Sequence, residues 1–337
     1  MFITAKTIFQ ISSTIMSLIL NTALIVLIIK KSPVKMGNYR ALMIYFSIFA
    51  MTFSLLDIWA KPFVHSIDHC FAVIVEVENL KIGKQGSLIV VSALCGCFGS
   101  TITCLAIHFA YRFFALERKG RLRFFTNSYL IFWSMLPIIF GISWGTMVYF
   151  LLGPSEQASN YLAKSIYDDY NLDIKNVTYV GALYFYRDNT PNIKHFLASS
   201  ILMIIMFISF SIVFNFAIRS FVLIQKLLKN EGESKYSQNL QQQLYKALVF
   251  QSLFPLSLMY IPVGAYFIAP MFGINIETFS RVVTFLYAVY PAVDPIPIIF
   301  IIDDYRFAVF KLFHICENRN RVRDVEMYQE PQNNCEV

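Results

Sequence analysis

Residues 196–218 read FLASSILMIIMFISFSIVFNFAI and contain no charged side chain. An α-helix needs about 20 apolar residues to cross the roughly 30 Å hydrocarbon core of a bilayer. In lipid, only helices and closed barrels satisfy all their backbone hydrogen bonds, so the sequence predicts an all-α membrane protein, a seven-transmembrane helix bundle over residues 1–302. Six similar stretches complete this bundle, at about 8–29, 42–60, 87–110, 128–152, 247–268 and 280–302.

The composition also indicates a membrane protein. Of the 337 residues, 57% are hydrophobic and 15% are charged, whereas soluble domains carry about 25% charged residues. The formal net charge is +7, but Lys and Arg lie in short loops at the ends of the predicted spans and form no single basic patch. The expected partner is therefore the lipid bilayer and not nucleic acid.

The basic residues also predict the direction of the chain. Lys and Arg are denser in the loops after spans 1, 3 and 5 than in the loops on the opposite side. Because the basic side of a membrane protein faces the cytoplasm, we expect the N-terminus outside and the C-terminus inside. The loop 153–195 is then external, and its Asn176-Val177-Thr178 triplet makes Asn176 a candidate glycosylation site.

The segment after span 7 predicts a short helix on the inner membrane surface. From Tyr305 to Cys316 the apolar positions recur with helical spacing. This predicts an amphipathic helix over about 304–316, at the start of a cytoplasmic tail of residues 303–337. Cys316 is a candidate for reversible palmitoylation. The alternative is a frayed end of span 7 with an incidental cysteine.

Several sequence blocks together resemble one family. Their similarity covers nearly the whole chain, and the chain is identified on them as a member of the Str family (serpentine receptor class r) of nematode chemoreceptors. The blocks are Asn38-Tyr39-Arg40-Ala41-Leu42-Met43-Ile44-Tyr45-Phe46, Ser54-Leu55-Leu56-Asp57, Lys61-Pro62, His65-Ser66, Leu105-Ala106-Ile107-His108-Phe109-Ala110-Tyr111-Arg112, Leu240-Gln241-Gln242-Gln243-Leu244, Tyr260-Ile261-Pro262-Val263-Gly264, Ala269-Pro270-Met271-Phe272, Tyr290-Pro291-Ala292-Val293-Asp294-Pro295 and Asp304-Tyr305-Arg306.

The resemblance implies a multi-pass plasma-membrane receptor of sensory neurons, expected in their sensory cilia. Such a receptor binds a small ligand from outside, here expected to be volatile or lipophilic, and activates a heterotrimeric G protein. The sequence contains no nucleophile–base constellation, phosphate loop or His-Glu-x-x-His motif. We therefore expect neither catalysis nor a cofactor.

The chain departs from the broader rhodopsin-like receptors at positions that matter for activation. The Asp-Arg-Tyr motif is replaced by Ala110-Tyr111-Arg112, and Asn-Pro-x-x-Tyr by Asp294-Pro295-Ile296-Pro297-Ile298. No tryptophan precedes Pro262, and the loop 153–195 contains no cysteine. The seven-helix fold tolerates these changes, but the detailed rhodopsin-like activation mechanism does not transfer.

A switch is expected at the inner end of the bundle. Arg112, at the mouth of span 3, extends its charge towards water, and it is also expected to bind helix ends in one state and a G protein in another. Prolines in spans 6 and 7 predict kinks that let a helix end swing. Asp294 is expected to cap or hinge the kink in span 7. The candidates for the switch and for G-protein coupling are Tyr111, Arg112, Pro262, Asp294, Pro295, Tyr305 and Arg306.

A ligand pocket is expected among the outer halves of spans 3, 5, 6 and 7. Asp57, an acid inside span 2, is a further candidate because charges within a membrane face the bundle interior or water. Asp57 and Asp294 lie at different predicted depths, so we do not expect them to share one ion. Aromatic side chains are frequent throughout, and simple packing is the alternative for each. The candidates are Asp57, Ser92, Met203, Phe207, Tyr260, Tyr266, Phe285, Tyr287 and Tyr290.

Two features of the first external loop leave alternatives open. Cys70 could pair with Cys95 only if span 3 began nearer the inner side than predicted. His65 and His69 have a spacing that suits a metal on a helix, but a solvated loop is the favoured interpretation. We expect no metal site.

Other functions fit the pattern less well. A peptide or neurotransmitter is an alternative ligand within the receptor class. A ligand-gated channel of the insect odorant-receptor type would have the opposite orientation, and a transporter would more often show internal repeats. Span 7 contains no lysine to carry retinal.

Overall fold

The structure is a computed structural model that describes residues 2–33, 36–117, 121–125, 128–229 and 234–312. Seven helices in this part of the chain are long and apolar enough to cross a membrane, and the predicted seven-helix bundle is confirmed. Two short helices lie between spans, α3 (Val77–Leu80) and α6 (Glu156–Tyr170). The spans are α1 (Phe2–Lys31), α2 (Tyr39–Ala60), α4 (Gly83–Glu117), α5 (Ser128–Leu151), α7 (Ile193–Leu228), α8 with α9 (Lys235–Pro255 and Ile261–Ile268), and α10 with α11 (Glu277–Val293 and Ile296–Ile301).

Several helices extend beyond the predicted apolar stretches. The third span begins at Gly83, before the predicted residue 87, and the fifth continues to Leu228 instead of ending near 218. Hydropathy marks only the part of a helix that lies in hydrocarbon. The polar ends remain helical because backbone hydrogen bonding continues into water.

A three-stranded antiparallel sheet lies at one end of the bundle, among residues predicted to be loops. It consists of β1 (Phe63–Ile67), β2 (Cys70–Glu76) and β3 (Val177–Leu183), in the order β1-β2-β3. The β1–β2 hairpin turns at Asp68 and His69, and the φ of Asp68 is positive, 44°, as at the first central residue of the favoured two-residue turns. The all-α prediction therefore needs one correction: the bundle carries a β-sheet.

Helix α6 packs on this sheet and forms a separate apolar core with it. Leu162 and Ile166 on α6 are fully buried against Ala72 and Ile74 on β2. The helix is delimited by its sequence, because the Ser155 side chain caps its first turn and Asn171 ends it in a left-handed conformation. We call β1–β3 and α6 together the cap, and this end of the bundle the sheet end.

The third span, α4, occupies the centre of the bundle, whereas α7 lies at its edge. Of their most apolar windows, 72% is buried for α4 and 17% for α7. Helix α5 approaches α4 closely because glycines face each other: a Cβ added at Gly96 would lie 2.5 Å from the carbonyl oxygen of Gly141. Such small residues let helix backbones touch in membranes.

The opposite end, which we call the tail end, carries α12 (Asp303–Leu312). This is the short helix predicted after span 7, and it begins one residue before the predicted boundary. Its Tyr305 is fully buried, and the Tyr305 hydroxyl lies 2.6 Å from Oγ of Ser32, the residue that follows α1. Cys316 and the tail beyond residue 312 lie outside the described residues.

Candidate ligand cavity and switch region

The bundle encloses a cavity directly beneath the sheet, with a volume of about 110 Å³. Helices α2, α4, α5, α9 and α10 form its walls, and all three strands form its roof. Its lining is mostly aromatic and aliphatic, as is typical of small-molecule sites. The lining residues are Phe53, Asp57, Pro62, Val64, Phe71, Val73, Leu94, Cys95, Phe98, Trp144, Val148, Leu152, Val180, Gly181, Val263, Tyr266, Phe267, Thr284 and Tyr287.

Asp57 is the acid in this lining. Its Oδ2 accepts a hydrogen bond of 3.2 Å from Gln10 Nε2, and Gln10 also donates to the Pro62 carbonyl oxygen at 3.4 Å. The buried Lys6 ammonium donates to the Lys61 carbonyl oxygen at 2.7 Å and lies over the Phe63 ring. The N-terminal half of α1 therefore supplies polar partners for the end of α2, behind the cavity wall.

A smaller cavity of about 40 Å³ lies closer to the tail end and contains Asp294. The Asp294 carboxylate accepts a 2.8 Å hydrogen bond from Gln251 Nε2 on α8. Phe53 lines both cavities and stands between them. Asp57 and Asp294 therefore line different cavities, and each binds a different glutamine.

Arg112 joins the third and sixth spans at the tail end. Its side chain is 2% exposed, and its Nη2 donates to Gln241 Oε1 at 2.6 Å. The guanidinium also lies over the Tyr39 ring, 5.1 Å from its centroid, and the Tyr111 ring stacks on the same tyrosine. The arginine is thus held inside the bundle and does not extend into water.

A second glutamine joins the sixth span to α12. Gln243 Nε2 donates to Asp303 Oδ2 at 2.6 Å, and the Asp303 backbone N–H donates to Gln243 Oε1 at 3.0 Å. Three glutamines of α8 therefore connect it to its neighbours: Gln241 to the third span, Gln243 to α12 and Gln251 to the seventh span.

The model of the family described as "Serpentine type 7TM GPCR chemoreceptor Str" matches residues 6–310. The chain belongs to the Str family. It is 32% identical to G-protein coupled receptor str-217 of Caenorhabditis elegans over 313 residues, covering 92% of this chain and 90% of the relative. It is 30% identical to serpentine receptor class r-10 of Caenorhabditis briggsae, with 85% and 84% covered. The predicted family is confirmed, and the protein is a multi-pass membrane receptor of the G-protein-coupled class.

In this Str receptor, the structure brings three predicted pocket residues, Asp57, Tyr266 and Tyr287, to the main cavity. Tyr260 lies deeper, where its hydroxyl is 2.7 Å from Thr101 Oγ1, and Tyr290 lines the smaller cavity. Ser92 is buried at the contact between α4 and α5, where its backbone carbonyl packs against Gly145. Met203 packs against the core without lining the cavity.

Two predicted pocket residues lie elsewhere. Phe207 on α7 is 74% exposed, on the surface that faces lipid in a membrane receptor. Phe285 packs against the rings of Phe2 and Phe9 on α1, at centroid distances of 5.9 and 5.1 Å. Neither residue lines the cavity. An apolar span has apolar residues on every face, so its sequence does not reveal which face lines the interior.

The sequence reasoning missed the contributions of α5 and of the sheet. Trp144 and Val148 come from the fourth span, and Phe71 and Val180 come from strands. The β-branched run Val73-Ile74-Val75 was an available signal for a strand. Nothing in the sequence placed that strand over the cavity.

The predicted kinks correspond to real breaks in the helices. Between α8 and α9, residues Leu256–Tyr260 form a π-helical turn, in which the Ile261 N–H donates to the Leu256 carbonyl oxygen. Pro262 follows directly and cannot donate a backbone hydrogen bond. In the seventh span, α10 ends at Val293 and α11 begins at Ile296. The Asp294 side chain does not cap this break, because it binds Gln251.

The remaining candidates lie at the two ends of the bundle. At the tail end, Arg306 pairs with Asp303, while Tyr305 is buried and reaches Ser32. At the sheet end, Asn176 is exposed just before β3, whereas the Thr178 side chain of the same triplet is buried.

Cys70 and Cys95 are free thiols, so the disulfide left open is not formed.

His65 does not lie in a solvated loop. It is fully buried in β1, with Nδ1 3.2 Å from the Tyr170 hydroxyl and Nε2 3.0 Å from Ser165 Oγ. Burial lowers the pKa of His65 to about 4. Among the described residues, no group of three His, Cys, Asp or Glu side chains could hold a metal ion.

Proposed function

We propose that this receptor binds a small, largely apolar ligand in the cavity beneath the cap and activates a heterotrimeric G protein at the tail end. The sheet end then faces outside and the tail end faces the cytoplasm, as the basic loops predict. The protein acts in the plasma membrane of chemosensory neurons, at their sensory cilia. Membership of a chemoreceptor family and similarity to a G-protein coupled receptor support this proposal.

One observation carries this proposal: the sixth span both lines the cavity and holds Arg112 at the tail end. Val263, Tyr266 and Phe267 on α9 line the cavity, while Gln241 on α8 holds Arg112. The π-helical turn at Leu256–Tyr260 lies between them. A ligand that fits the cavity better when α9 shifts therefore favours a state in which α8 has moved away from Arg112. A ligand shifts this equilibrium only by its differential affinity for the two states.

The size of the cavity distinguishes the candidate ligands. A cavity of about 110 Å³ is close to the ~150 Å³ apolar cavities that bind benzene in engineered proteins. It suits a small volatile or lipophilic molecule, and a small amine neurotransmitter of similar size remains the alternative. A peptide would have to bind on the outside of the cap.

The flanking features complete the proposal. Asn176 would carry a glycan on the external side, where it is exposed. Residues 303–337 would form the cytoplasmic tail, and palmitoylation of Cys316 would anchor the end of the amphipathic helix. Tyr111, Pro262, Asp294, Pro295 and Arg306 would act with Arg112 in coupling movement to the G protein.

Calcium imaging of cells that express the full chain tests this function. The cells are challenged with a panel of small volatile and water-soluble compounds, and each response is repeated with Arg112→Ala and with G-protein exchange blocked. We expect responses that disappear in both controls while surface expression persists. Responses that survive the block would overturn the G-protein proposal and favour a ligand-gated channel.

A further inference from the structure

The polar groups of the cavity lining are few. Four lining side chains carry oxygen: Asp57, Tyr266, Thr284 and Tyr287. The Thr284 hydroxyl is fully engaged, because it accepts from the Val64 N–H at 3.0 Å and donates to the Ser280 carbonyl oxygen at 3.2 Å. The lining therefore offers the Asp57 carboxylate and two phenol groups for recognising a polar head group.

The partners of Asp57 are too few for a buried carboxylate. Its hydrogen-bond donor among the described residues is the neutral amide of Gln10. Within the same residues it has no ion-pair partner, because the nearby Lys6 ammonium donates to the Lys61 carbonyl oxygen instead. A carboxylate has about four acceptor positions, and a buried one needs further hydrogen bonds or a cation to offset its desolvation.

Tyr266 gives an independent indication at the same cavity. Its side chain is 3% exposed, and its hydroxyl makes no hydrogen bond within 3.5 Å among the described residues. The Ser280 side chain lies close by, but its hydroxyl donates to the Glu277 carbonyl oxygen. Buried hydroxyls are nearly always hydrogen-bonded, and each exception calls for an explanation. A polar group bound in the cavity would explain both the incomplete shell of Asp57 and the orphaned phenol.

We propose that Asp57 is the specificity-determining residue, and that the ligand has a small apolar body with one hydrogen-bond-donating head, a hydroxyl or an ammonium. This inference rests on the proposed function, since it assigns the chemistry of the same cavity. A hydrocarbon would leave the carboxylate unsatisfied. A ketone or aldehyde could accept from a tyrosine hydroxyl, but its carbonyl oxygen has no proton to donate and leaves the Asp57 carboxylate unsatisfied.

The chain contains its own reporter for testing this inference. It has three tryptophans, and one of them, Trp144, lines the cavity. With Trp59→Phe and Trp133→Phe, the full chain in lipid nanodiscs carries a single tryptophan at the site. Fluorescence titration then compares four probes with one ring skeleton: benzyl alcohol, benzylamine, benzaldehyde and toluene.

We expect benzyl alcohol and benzylamine to bind at least tenfold more tightly than benzaldehyde and toluene. Asp57→Asn should remove most of the advantage of benzylamine and leave toluene unchanged. The matched control is Glu76→Gln, a nearby carboxylate that does not line the cavity and whose loss should change none of the four affinities.

The inference is overturned if toluene or benzaldehyde binds as tightly as benzyl alcohol, or if no probe binds. It is also overturned if Asp57→Asn folds and keeps the ranking. The ranking in the chain that retains Asp57 decides the question even if the variant does not fold. A failed ranking would leave G-protein signalling standing, and lost signalling would leave the ranking standing, so the two proposals fail separately.

Discussion

The sheet end and the tail end of the bundle are held together in different ways. At the sheet end, β2 pairs along its whole length with β3, and α6 buries a core of its own against the sheet. At the tail end, the sixth span packs Leu240 and Leu244 into a shared apolar core, and its polar contacts run through individual glutamine side chains, Gln241, Gln243 and Gln251. A backbone ladder is lost only as a unit, whereas single side-chain hydrogen bonds contribute about 0.5–3 kcal/mol each.

This difference indicates where the receptor can move. Displacing α8 breaks side-chain hydrogen bonds and apolar side-chain contacts, whereas opening the cap also breaks a backbone ladder. Within the sixth span, the π-helical turn at Leu256–Tyr260 lies between α9, which is next to the cap, and α8, which is at the tail end. We therefore expect a stable cap over the cavity and a tail end that changes conformation at modest cost.

The largest effect is expected from Gly181→Ala in the cap. An added Cβ would overlap the carbonyl oxygen of Phe71 and lie 2.7 Å from Ala72 Cα, so backbone must move. We expect a loss of about 3 kcal/mol or more in the free energy of unfolding, measured as thermal stability of the purified receptor. Gly264→Ala is the control, because nothing lies within 4 Å of its Cβ position. Equal stability of the two variants would show that the cap is not tightly packed.

The second effect is expected from Gln241→Ala at the tail end. The substitution removes the acceptor of the buried Arg112 guanidinium, and a hydrogen bond to a charged group contributes about 1.5–3 kcal/mol. We expect ligand-independent G-protein exchange to rise about tenfold or more. The control is Gln242→Ala, a side chain that makes no hydrogen bond within the described chain. If both variants signal alike, the contact does not restrain the switch.

Acid should weaken the cap through His65. Burial lowers the pKa of His65 to about 4, with Asp169 opposing this shift and Arg281 adding to it. The unfolded chain, with an ordinary histidine pKa near 6.5, takes up the proton first, so stability falls as pH drops from about 6.5 to 4. Between pH 7 and 5 we expect a loss of about 2 kcal/mol.

Thermal unfolding at several pH values measures this loss, and His65→Gln should reduce its pH dependence. The same pH dependence in the variant would assign acid sensitivity to other groups.

The smallest effect is expected from Arg281→Met. The Arg281 guanidinium lies 3.0 Å from Asp169 on α6 and links the cap to the seventh span, but its side chain is 40% exposed. Exposed ion pairs contribute about 0–1 kcal/mol because water and salt screen them. We expect less than about 1 kcal/mol in thermal stability. A larger loss would mean that this ion pair, and not the ladder, holds the cap.

Part of the candidate site was predictable from the sequence. Asp57 stood out because charges inside a span are rare, and Arg112 because it lies at the inner mouth of span 3. Both have specific contacts in the structure. Aromatic residues gave no such signal: Tyr266 lines the cavity, whereas Phe207 faces outward. In an apolar span, both the interior and the lipid surface select apolar side chains, so composition does not distinguish the two faces.

The sequence by itself determined the seven spans, the family and the breaks near Pro262 and Pro295, since hydropathy and proline geometry act within a short stretch of chain. Only the tertiary structure decided that β3 pairs with β2, a contact between residues about a hundred positions apart. It also decided that this sheet closes the cavity and that Gln241 meets Arg112. Such contacts depend on how whole helices are placed against one another, and no local pattern records that placement.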